Sequence, residues 1–375
     1  MRLAGDWIDR PATQAVFDAV GAPAWFVGGC VRNALLGETV DDIDIATALV
    51  PDDVVLRTKA AGLKPVPTGI DHGTVTVVSD GVPHEVTTFR RDVATDGRRA
   101  TVAFAETMDE DAARRDFTIN ALYADRTGRV SDPLGQGLAD LDAREVRFIG
   151  DAGARIEEDY LRILRYFRFL ARIAAAPGTE ALAAIAAHLD GLDRLSRERI
   201  GHEMRKLLAA PDPSQSVATM ASAGVLARVL PGAATAFLAP LVHVEGDRAP
   251  DWLRRLAAMG GEDAADRLRL SRAEAQRLAT LTALTGATEG LAEIAWREGA
   301  DTAWDVALLR AAAIGALPPD AAGSIATGTS ATFPVTAADL MPALEGPALG
   351  TRLKELERRW IASGFALDRD ALLRG

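Results

Sequence analysis

Hydrophobic and polar positions follow two different rhythms along this chain. Up to about residue 150, β-branched runs such as Gly73-Thr-Val-Thr-Val-Val78 and His84-Glu-Val-Thr-Thr-Phe89 alternate with helical stretches and Gly/Pro/Asp turns. That alternation predicts a mixed β-sheet with helices. From Ile156 onward Ala, Leu, Arg and Glu recur at helical spacing, interrupted at Pro177-Gly178, Pro211-Asp-Pro213 and Pro231-Gly232. No strand-like alternation of similar length returns, so the remainder is expected to be all-α. The expected division is an α/β head over 1–143, a helical neck over 144–213 and a helical body and tail over 214–375. Residues 311–335, with Pro-Pro and scattered Gly, Ser and Thr, are expected to form a long loop.

Composition narrows the class. A chain of 375 residues exceeds the usual single core, and 48% apolar with 25% charged residues is ordinary globular usage. The first residues, MRLAGDWIDRPATQ, carry charges where a signal peptide needs an apolar run, and no later run is long enough to span a bilayer. A cytoplasmic address without membrane contact is the expectation. The lone Cys30 excludes an intramolecular disulfide and a thiolate zinc cluster, so any metal should be bound by oxygen. A net charge of −11 argues against a generally nucleic-acid-coating surface but leaves room for a local basic patch.

The densest candidate chemistry lies in Phe26-Val-Gly-Gly-Cys-Val-Arg-Asn33 followed by Asp41-Asp-Ile-Asp-Ile45. Strand alternation puts Asp42 and Asp44 on one face and Ile43 and Ile45 on the core face. Two carboxylates so placed repel unless a cation lies between them, which suits Mg²⁺ shared with a triphosphate. Gly28 and Gly29 let backbone amides approach phosphate oxygens, and Arg32 adds a donor fork. A bare D-x-D reads more simply as a solvated strand edge, and a bare Gly-Gly as a turn. Their order and closeness here favour the metal reading.

These residues resemble the signature of the class II nucleotidyltransferase family, which contains bacterial CCA-adding enzymes and bacterial poly(A) polymerases. The resemblance implies an α/β nucleotidyltransferase head followed by an all-α neck, body and tail. One departure is Asn33, where the family usually has Asp; Asn33 keeps an acceptor oxygen and lacks the charge. Further motifs follow in the family's order. His84-Glu-Val-Thr-Thr-Phe-Arg90 resembles the next strand, where Glu85 would complete the carboxylate cluster, although an edge-strand acid is an equal reading. Arg114-Arg-Asp-Phe-Thr-Ile-Asn-Ala121 resembles the second motif, which implies Arg115 on the triphosphate and Asp116 and Asn120 fixing sugar and local geometry. Without the family that stretch is a charged helix start. Asp132-Pro-Leu-Gly135 is similar to a structural turn leading out of the head.

Glu157 to Arg172 carries a further pattern. At about 100° per residue, Ile163, Leu164, Phe167, Leu170 and Ala171 share one arc while Arg162, Arg165, Arg168 and Arg172 share another. One continuous helix would set Asp159 a turn before Arg162, side by side. The plain alternative is a solvated arginine face with acids favouring the helix dipole. Cytosine and adenine both show an exocyclic amine beside an unprotonated ring nitrogen, so a carboxylate can accept from one while a guanidinium donates to the other. Uracil and guanine present the opposite polarity and would be rejected. In the family, the E-D-x-x-R stretch is the amino-acid template for C and A. Its counterparts here are Glu158, Asp159 and Arg162, with Arg165 and Arg168 in reach of the nucleotide. Ser196-Arg-Glu-Arg-Ile200 resembles the last motif, with Ser196 a helix N-cap, and is assigned mainly to structure.

The resemblance implies Mg²⁺-dependent addition of C-C-A to the tRNA 3′ end from CTP and ATP, with no protein partner. Alternatives are poly(A) addition, partial CC or A addition, and a non-catalytic RNA-binding relative. The stretch Arg90 to Ala100 resembles the loop the family uses in switching from CTP to ATP, which speaks against CC-only addition. Histidines at 72, 84, 188, 202 and 243 give no H…HD phosphohydrolase pattern, and His72 reads as a loop or core contact.

Overall fold

The structure is a computed structural model that describes all residues except 22, 71–72, 96–99, 174 and 375, with the backbone alone for 92–95 and 100–102. His72 and the tip of the 90–100 stretch therefore lie outside the described residues. Contacts divide the chain into two compact units, Met1–Val229 and Leu230–Gly375.

In the first unit, helices α1 (Asp6–Asp9) and α2 (Pro11–Val20) precede strand β1 (Ala24–Val27), helix α3 (Gly29–Leu35), β2 (Ile43–Thr47) and α4 (Pro51–Ala60). Strands β3 (Lys64–Gly69), β4 (Thr74–Ser79), β5 (Val82–Thr88), β6 (Arg90–Thr95) and β7 (Ala100–Phe104) follow, then α5 (Met108–Ala113), β8 (Tyr123–Ala124), β9 (Val130–Ser131) and α6 (Gly137–Asp142). Seven strands form one sheet in the order β3-β4-β5-β2-β1-β8-β9, while β6 and β7 make a separate hairpin. Among the described residues only β2 and β5 pair in parallel, and their register sets Asp44 beside Glu85. The period of two read from β4 holds, because Val75 and Val77 are buried with Val86 and Ile45. Helix α2 covers this sheet through Val16 and Phe17, the latter meeting Phe26 edge-on at 4.7 Å between ring centroids.

After the head the chain is helical: α7 (Ala152–Glu158), α8 (Leu161–Ile173), α9 (Thr179–Ala187), α10 (Arg197–Leu208), α11 (Ser214–Ser222) and α12 (Val225–Val229) complete the first unit. The second unit contains α13 (Leu238–Glu245), α14 (Trp252–Met259), α15 (Ala264–Arg267), α16 (Arg272–Thr285), α17 (Leu291–Glu298), α18 (Ala300–Ile314), α19 (Ala321–Ser330), α20 (Gly346–Ala362) and α21 (Arg369–Leu373).

Two expectations change. Residues 311–335 are not a long loop, because α18 runs through Ile314 and α19 takes up ten of the remaining residues. Ala321 and Ile325 are buried there, and that packing outweighs the weak helix propensity of Gly, Ser and Thr. The helix expected over 157–172 is also two helices. Asp159 adopts extended dihedrals (φ −155°, ψ 104°) and its Oδ1 accepts the Leu161 amide at 3.1 Å, so it ends α7 and caps α8. Among the described residues, no helix is long and apolar enough to cross a membrane.

Candidate active site

The Gly-Gly turn lies between β1 and α3. Gly28 has φ +70°, and a Cβ there would meet the Arg115 guanidinium at 3.2 Å, so only glycine fits without strain. A Cβ on Gly29 would stand 3.9 Å from Asp44 Oδ2, which brings the turn directly over the carboxylate. Asp44, on β2, is half-buried, and its carboxyl is raised to about 6 by burial first and by the charges of Glu85 and Asp42 second. Asp42 lies in the bend before β2 and is exposed, whereas Ile43 and Ile45 are in the core. Among the described residues no group of three His, Cys, Asp or Glu side chains lies close enough to hold a metal. The acidic cluster therefore consists of Asp44 beside Glu85, with Asp42 acting on Asp44 through its charge.

A cavity of about 580 Å³ opens at this point, lined by Gly28, Gly29, Arg32, Asp44, Glu85, Arg115, Asp116, Asn120, Asp159, Arg162, Arg165 and Arg168. Arg90, Arg114, Phe169, Arg199 and Lys206 line it as well. A second cavity of about 360 Å³ shares Gly29, Arg32, Asp44, Arg168 and Lys206 with the first and adds Asn33, Asp41, Asp42 and Arg172. Residues as far apart in the sequence as Gly28 and Lys206 thus meet in one place. Glu158 ranks apart from these, because it acts through Arg155 and Arg162 and does not line either cavity.

A continuous hydrogen-bond chain braces the cavity floor. The Arg32 guanidinium donates to Asn33 Oδ1 at 2.8 Å and, in a very short contact, to Asn120 Oδ1. Asn120 Nδ2 donates to Asp116 Oδ1 at 2.9 Å, and Arg165 Nε donates to Asp116 Oδ2 at 2.7 Å. Burial pushes the Asp116 carboxyl up, but Arg165, Asn120 and the Phe117 amide together hold it well below the usual carboxylate range. Arg115 is held by Asp111 at 2.9 Å and by the Tyr123 hydroxyl at 3.2 Å. Asn33 thus supplies the acceptor anticipated for it, as a neutral partner for Arg32. Burial, then the charges of Arg172 and Arg168, lower the Arg32 guanidinium to about 10, which marks a cation short of negative company.

The arginine face of α8 is not a solvated stripe. Arg168 donates to Glu203 at 2.6 Å and Arg172 to Glu38 at 2.6 Å. Phe169, 3% exposed, has the guanidinium carbons of Arg32, Arg165 and Arg168 at 4.9, 5.6 and 4.1 Å from its ring centroid. Asp159 and Arg162 line the same cavity, yet their charged ends have different partners. Arg162 engages Glu158 and donates to the Arg155 carbonyl at 2.6 Å, while Asp159 Oδ2 accepts from Arg199 at 2.7 Å. The helix break at Asp159 separates them, since Arg162 is on the second residue of α8 and Asp159 stands outside it.

Sequence reasoning missed Phe169, Arg199 and Lys206. Phe169 was recoverable, because it stands one turn beyond Arg165 on the arginine arc. Arg199 and Lys206 reach the cavity only through the packing of α10 on α8, which no local pattern reports.

A sheet-borne carboxylate next to a glycine turn, facing a cavity rich in guanidinium groups, defines the head as a nucleotidyltransferase fold. Residues 24–147 match the poly A polymerase head domain, and residues 178–237 match the probable RNA- and SrmB-binding site of polymerase A. The chain is 39% identical over 240 residues to the CCA-adding enzyme of Geobacillus thermodenitrificans, a stretch covering 64% of this chain and 55% of that protein. It is 45% identical over 185 residues to the mitochondrial CCA tRNA nucleotidyltransferase 1 of Danio rerio, covering 48% of this chain and 43% of that protein. The chain thus spans about half the length of the curated relatives it matches. A crystal structure of the Bacillus stearothermophilus CCA-adding enzyme in complex with CTP superposes with a TM-score of 0.78 at 28% identity, covering 94% of each chain. The family resemblance read from the motifs therefore holds, and with it the α/β head followed by helices.

Proposed function

We propose that this protein adds C-C-A to the 3′ end of tRNA, transferring CMP and AMP from CTP and ATP and releasing pyrophosphate. The observation that carries the reading is the single cavity holding Asp44 with Glu85, the Gly28-Gly29 turn, and Asp159 with Arg162. The names of the relatives support it.

In this reading the 3′-hydroxyl oxygen of the tRNA forms a bond to the α-phosphorus as the bond to the β-phosphate oxygen breaks. Gly28 and Gly29 leave room for the phosphates to approach the backbone, and Arg32 and Arg115 supply positive charge from fixed positions. Asp116 and Asn120 hold Arg32 and Arg165 in place and face the sugar. Asp159 accepts the exocyclic amine of cytosine or adenine, Arg162 donates to the ring nitrogen beside it, and Glu158 holds Arg162. Arg165 and Arg168 flank the nucleotide.

The residues fit a divalent cation on their own chemistry: Asp44 lies beside Glu85 and feels the charge of Asp42, and burial first and these charges second raise its titration to about 6, a penalty that a cation would relieve. Asp42 and Asp44 would hold Mg²⁺, which when bound neutralises triphosphate charge and favours the ionised hydroxyl. Glu85 adds to the same negative field. The proposed division of labour gives catalysis to 1–143, nucleotide selection to the neck at 144–213 and tRNA binding to the body and tail at 214–375, in a cytoplasmic protein.

The test offers tRNA transcripts ending before C-C-A each triphosphate singly and in mixtures. Addition of two C and one A, then arrest, is expected. Unlimited A addition to unrelated RNA would establish the poly(A) alternative instead.

A further inference from the structure

We propose that Arg199 is a positioning residue for base selection, fixing the Asp159 carboxylate at the angle from which it reads the base edge. The inference rests on the nucleotidyl-transfer reading and adds to it a residue outside the E-D-x-x-R stretch.

Three observations carry it. First, Asp159 is freed from helical geometry, and both of its oxygens are engaged from different sides: Oδ1 accepts the Leu161 amide at 3.1 Å and Oδ2 accepts Arg199 at 2.7 Å. A carboxylate held at two points cannot rotate about its terminal bond, yet each oxygen keeps a second lone pair for an incoming amine. Second, Arg199 occupies the first turn of α10, whose Ser196 cap accepts the Arg199 amide. A cation is disfavoured there by the helix dipole, and the Asp159 carboxylate, which accepts from Arg199, offsets that cost. Third, the pair opens to the cavity, with the side chains of Arg199 and Asp159 35% and 25% exposed. Arg162 does not do this work, because its Nη1 donates to Glu158 and to the Arg155 carbonyl and not to Asp159. The junction is also clamped from the same segment of chain. A Cβ on Gly191 would stand 1.9 Å from the Tyr160 ring, so Tyr160 lies directly on the Gly191 backbone.

Without Arg199 the carboxylate would turn freely, and its penalty against the carbonyl of uracil would weaken while the triphosphate site stayed whole. The experiment compares wild type, Arg199→Ala, Arg199→Lys, Asp159→Ala and the Asp159→Ala/Arg199→Ala double variant on a tRNA transcript ending before C-C-A. It measures relative UMP and CMP incorporation, kcat and KM for CTP, and melting temperature. Arg199→Ala is expected to raise UMP incorporation relative to CMP roughly tenfold. Arg199→Lys should restore part of the selectivity, and the double variant should be no less selective than Asp159→Ala alone. Selectivity unchanged in both Arg199 variants, or multiplicative effects in the double variant, would overturn the proposal. Where Arg199→Ala lowers the melting temperature below assay conditions, Arg199→Lys and the cycle built on it decide. A wild type that takes up all four nucleotides equally would sink the nucleotidyl-transfer reading itself, which separates that failure from this one.

Discussion

Each unit of this protein buries arginines, and the two do so in opposite ways. In the second unit Arg254 and Arg255 are 6% and 1% exposed, and their charges are matched within hydrogen-bond distance. Arg254 donates to Glu245 and Asp305, both at 2.8 Å, Arg255 to Glu245 at 2.8 Å, and Arg277 to Asp305 at 2.6 Å and Asp251 at 2.8 Å. Three guanidinium groups meet three carboxylates. In the first unit nine basic residues and four acids line one cavity. Arg32, 6% exposed, is held by two neutral amide oxygens, and its Nε is buried without an acceptor among the described residues. Charge neutrality marks the second network as a device of the fold. The first network keeps a surplus of positive charge, which under the proposed reading suits an anion of several charges.

The comparison breaks most severely at Asp44. Asp44→Ala is expected to lower transfer of both CMP and AMP by roughly 10⁴-fold, about 5 kcal/mol of barrier. Its melting temperature should hold or rise, because burial first and the charges of Glu85 and Asp42 second disfavour the ionised group. Single-turnover rates beside a thermal melt check both halves, and near-normal transfer would remove Asp44 from the chemistry.

The opposite signature is expected at Glu245. Glu245→Gln leaves Arg254 and Arg255 buried beside a neutral group, which should cost about 3–5 kcal/mol of stability with little change in turnover per folded molecule. Denaturant unfolding and active-site titration of the folded fraction test it. A loss of turnover at unchanged stability would mean that the second network also serves a ligand.

Next in size come Asp159 and Arg162. Asp159→Ala should admit UTP while CTP and ATP become poorer substrates, and Arg162→Ala should weaken both natural nucleotides. Each loss is on the order of 1.5–3 kcal/mol, roughly ten- to a hundredfold. Unchanged base preference with a lowered melting temperature would reduce both residues to helix stabilisers.

How far the sequence foretold this geometry depends on the range of each interaction. Gly28, Gly29 and Asp44 were legible because a turn and a strand place them within 17 residues of one another and strand periodicity sets Asp44 opposite Ile43 and Ile45, whereas Asp42 lies in the bend before the strand, where that periodicity does not reach. The change from sheet to helix was legible for the same reason. The break at Asp159 was not, because the E-D-Y-L run continues a helical pattern and only the side-chain cap reveals the interruption. Nor was the Asp159 to Arg199 pair, forty residues apart, or the shared stacking on Phe169. Both depend on how α10 and α3 pack on α8, and periodicity within one helix carries no such information.

The 90–100 stretch offers a smaller effect. Strands β6 and β7 pair from Arg90 with Phe104 to Thr95 with Ala100, and residues 96–99 lie outside the described residues. Removing residues 93–99 is expected to weaken AMP addition more than CMP addition, by a ratio below about tenfold, because a purine needs the larger adjustment of the pocket. Equal loss in both steps, measured on transcripts ending in CC and lacking CCA, would assign the hairpin to folding or tRNA binding.

The smallest effect expected is a pH dependence confined to the first unit. His84 is fully buried on β5, with Nε2 3.0 Å from the Thr13 hydroxyl and Nδ1 3.1 Å from the Val82 carbonyl. Burial lowers its titration below the ordinary 6.5, so the folded protein keeps the ring neutral where the unfolded chain would protonate it. The sign follows: stability from this site is complete above pH 6.5 and is lost as pH falls from there through the folded value, since the unfolded state binds the proton first. His243 of the second unit is exposed and adds no comparable burial. His202 shifts the same way as His84 but lies on the surface, so His84→Gln separates the two. Asp44, raised to about 6, takes up its proton first in the folded state and offsets this loss, so the reading is a difference: calorimetry from pH 7.5 to 5 should show the first unit's transition losing more temperature with acid in wild type than in His84→Gln, while that of the second unit stays. A slope unchanged in His84→Gln would assign the effect to His202, whose titration burial first and the charge of Lys206 second lower in the same direction.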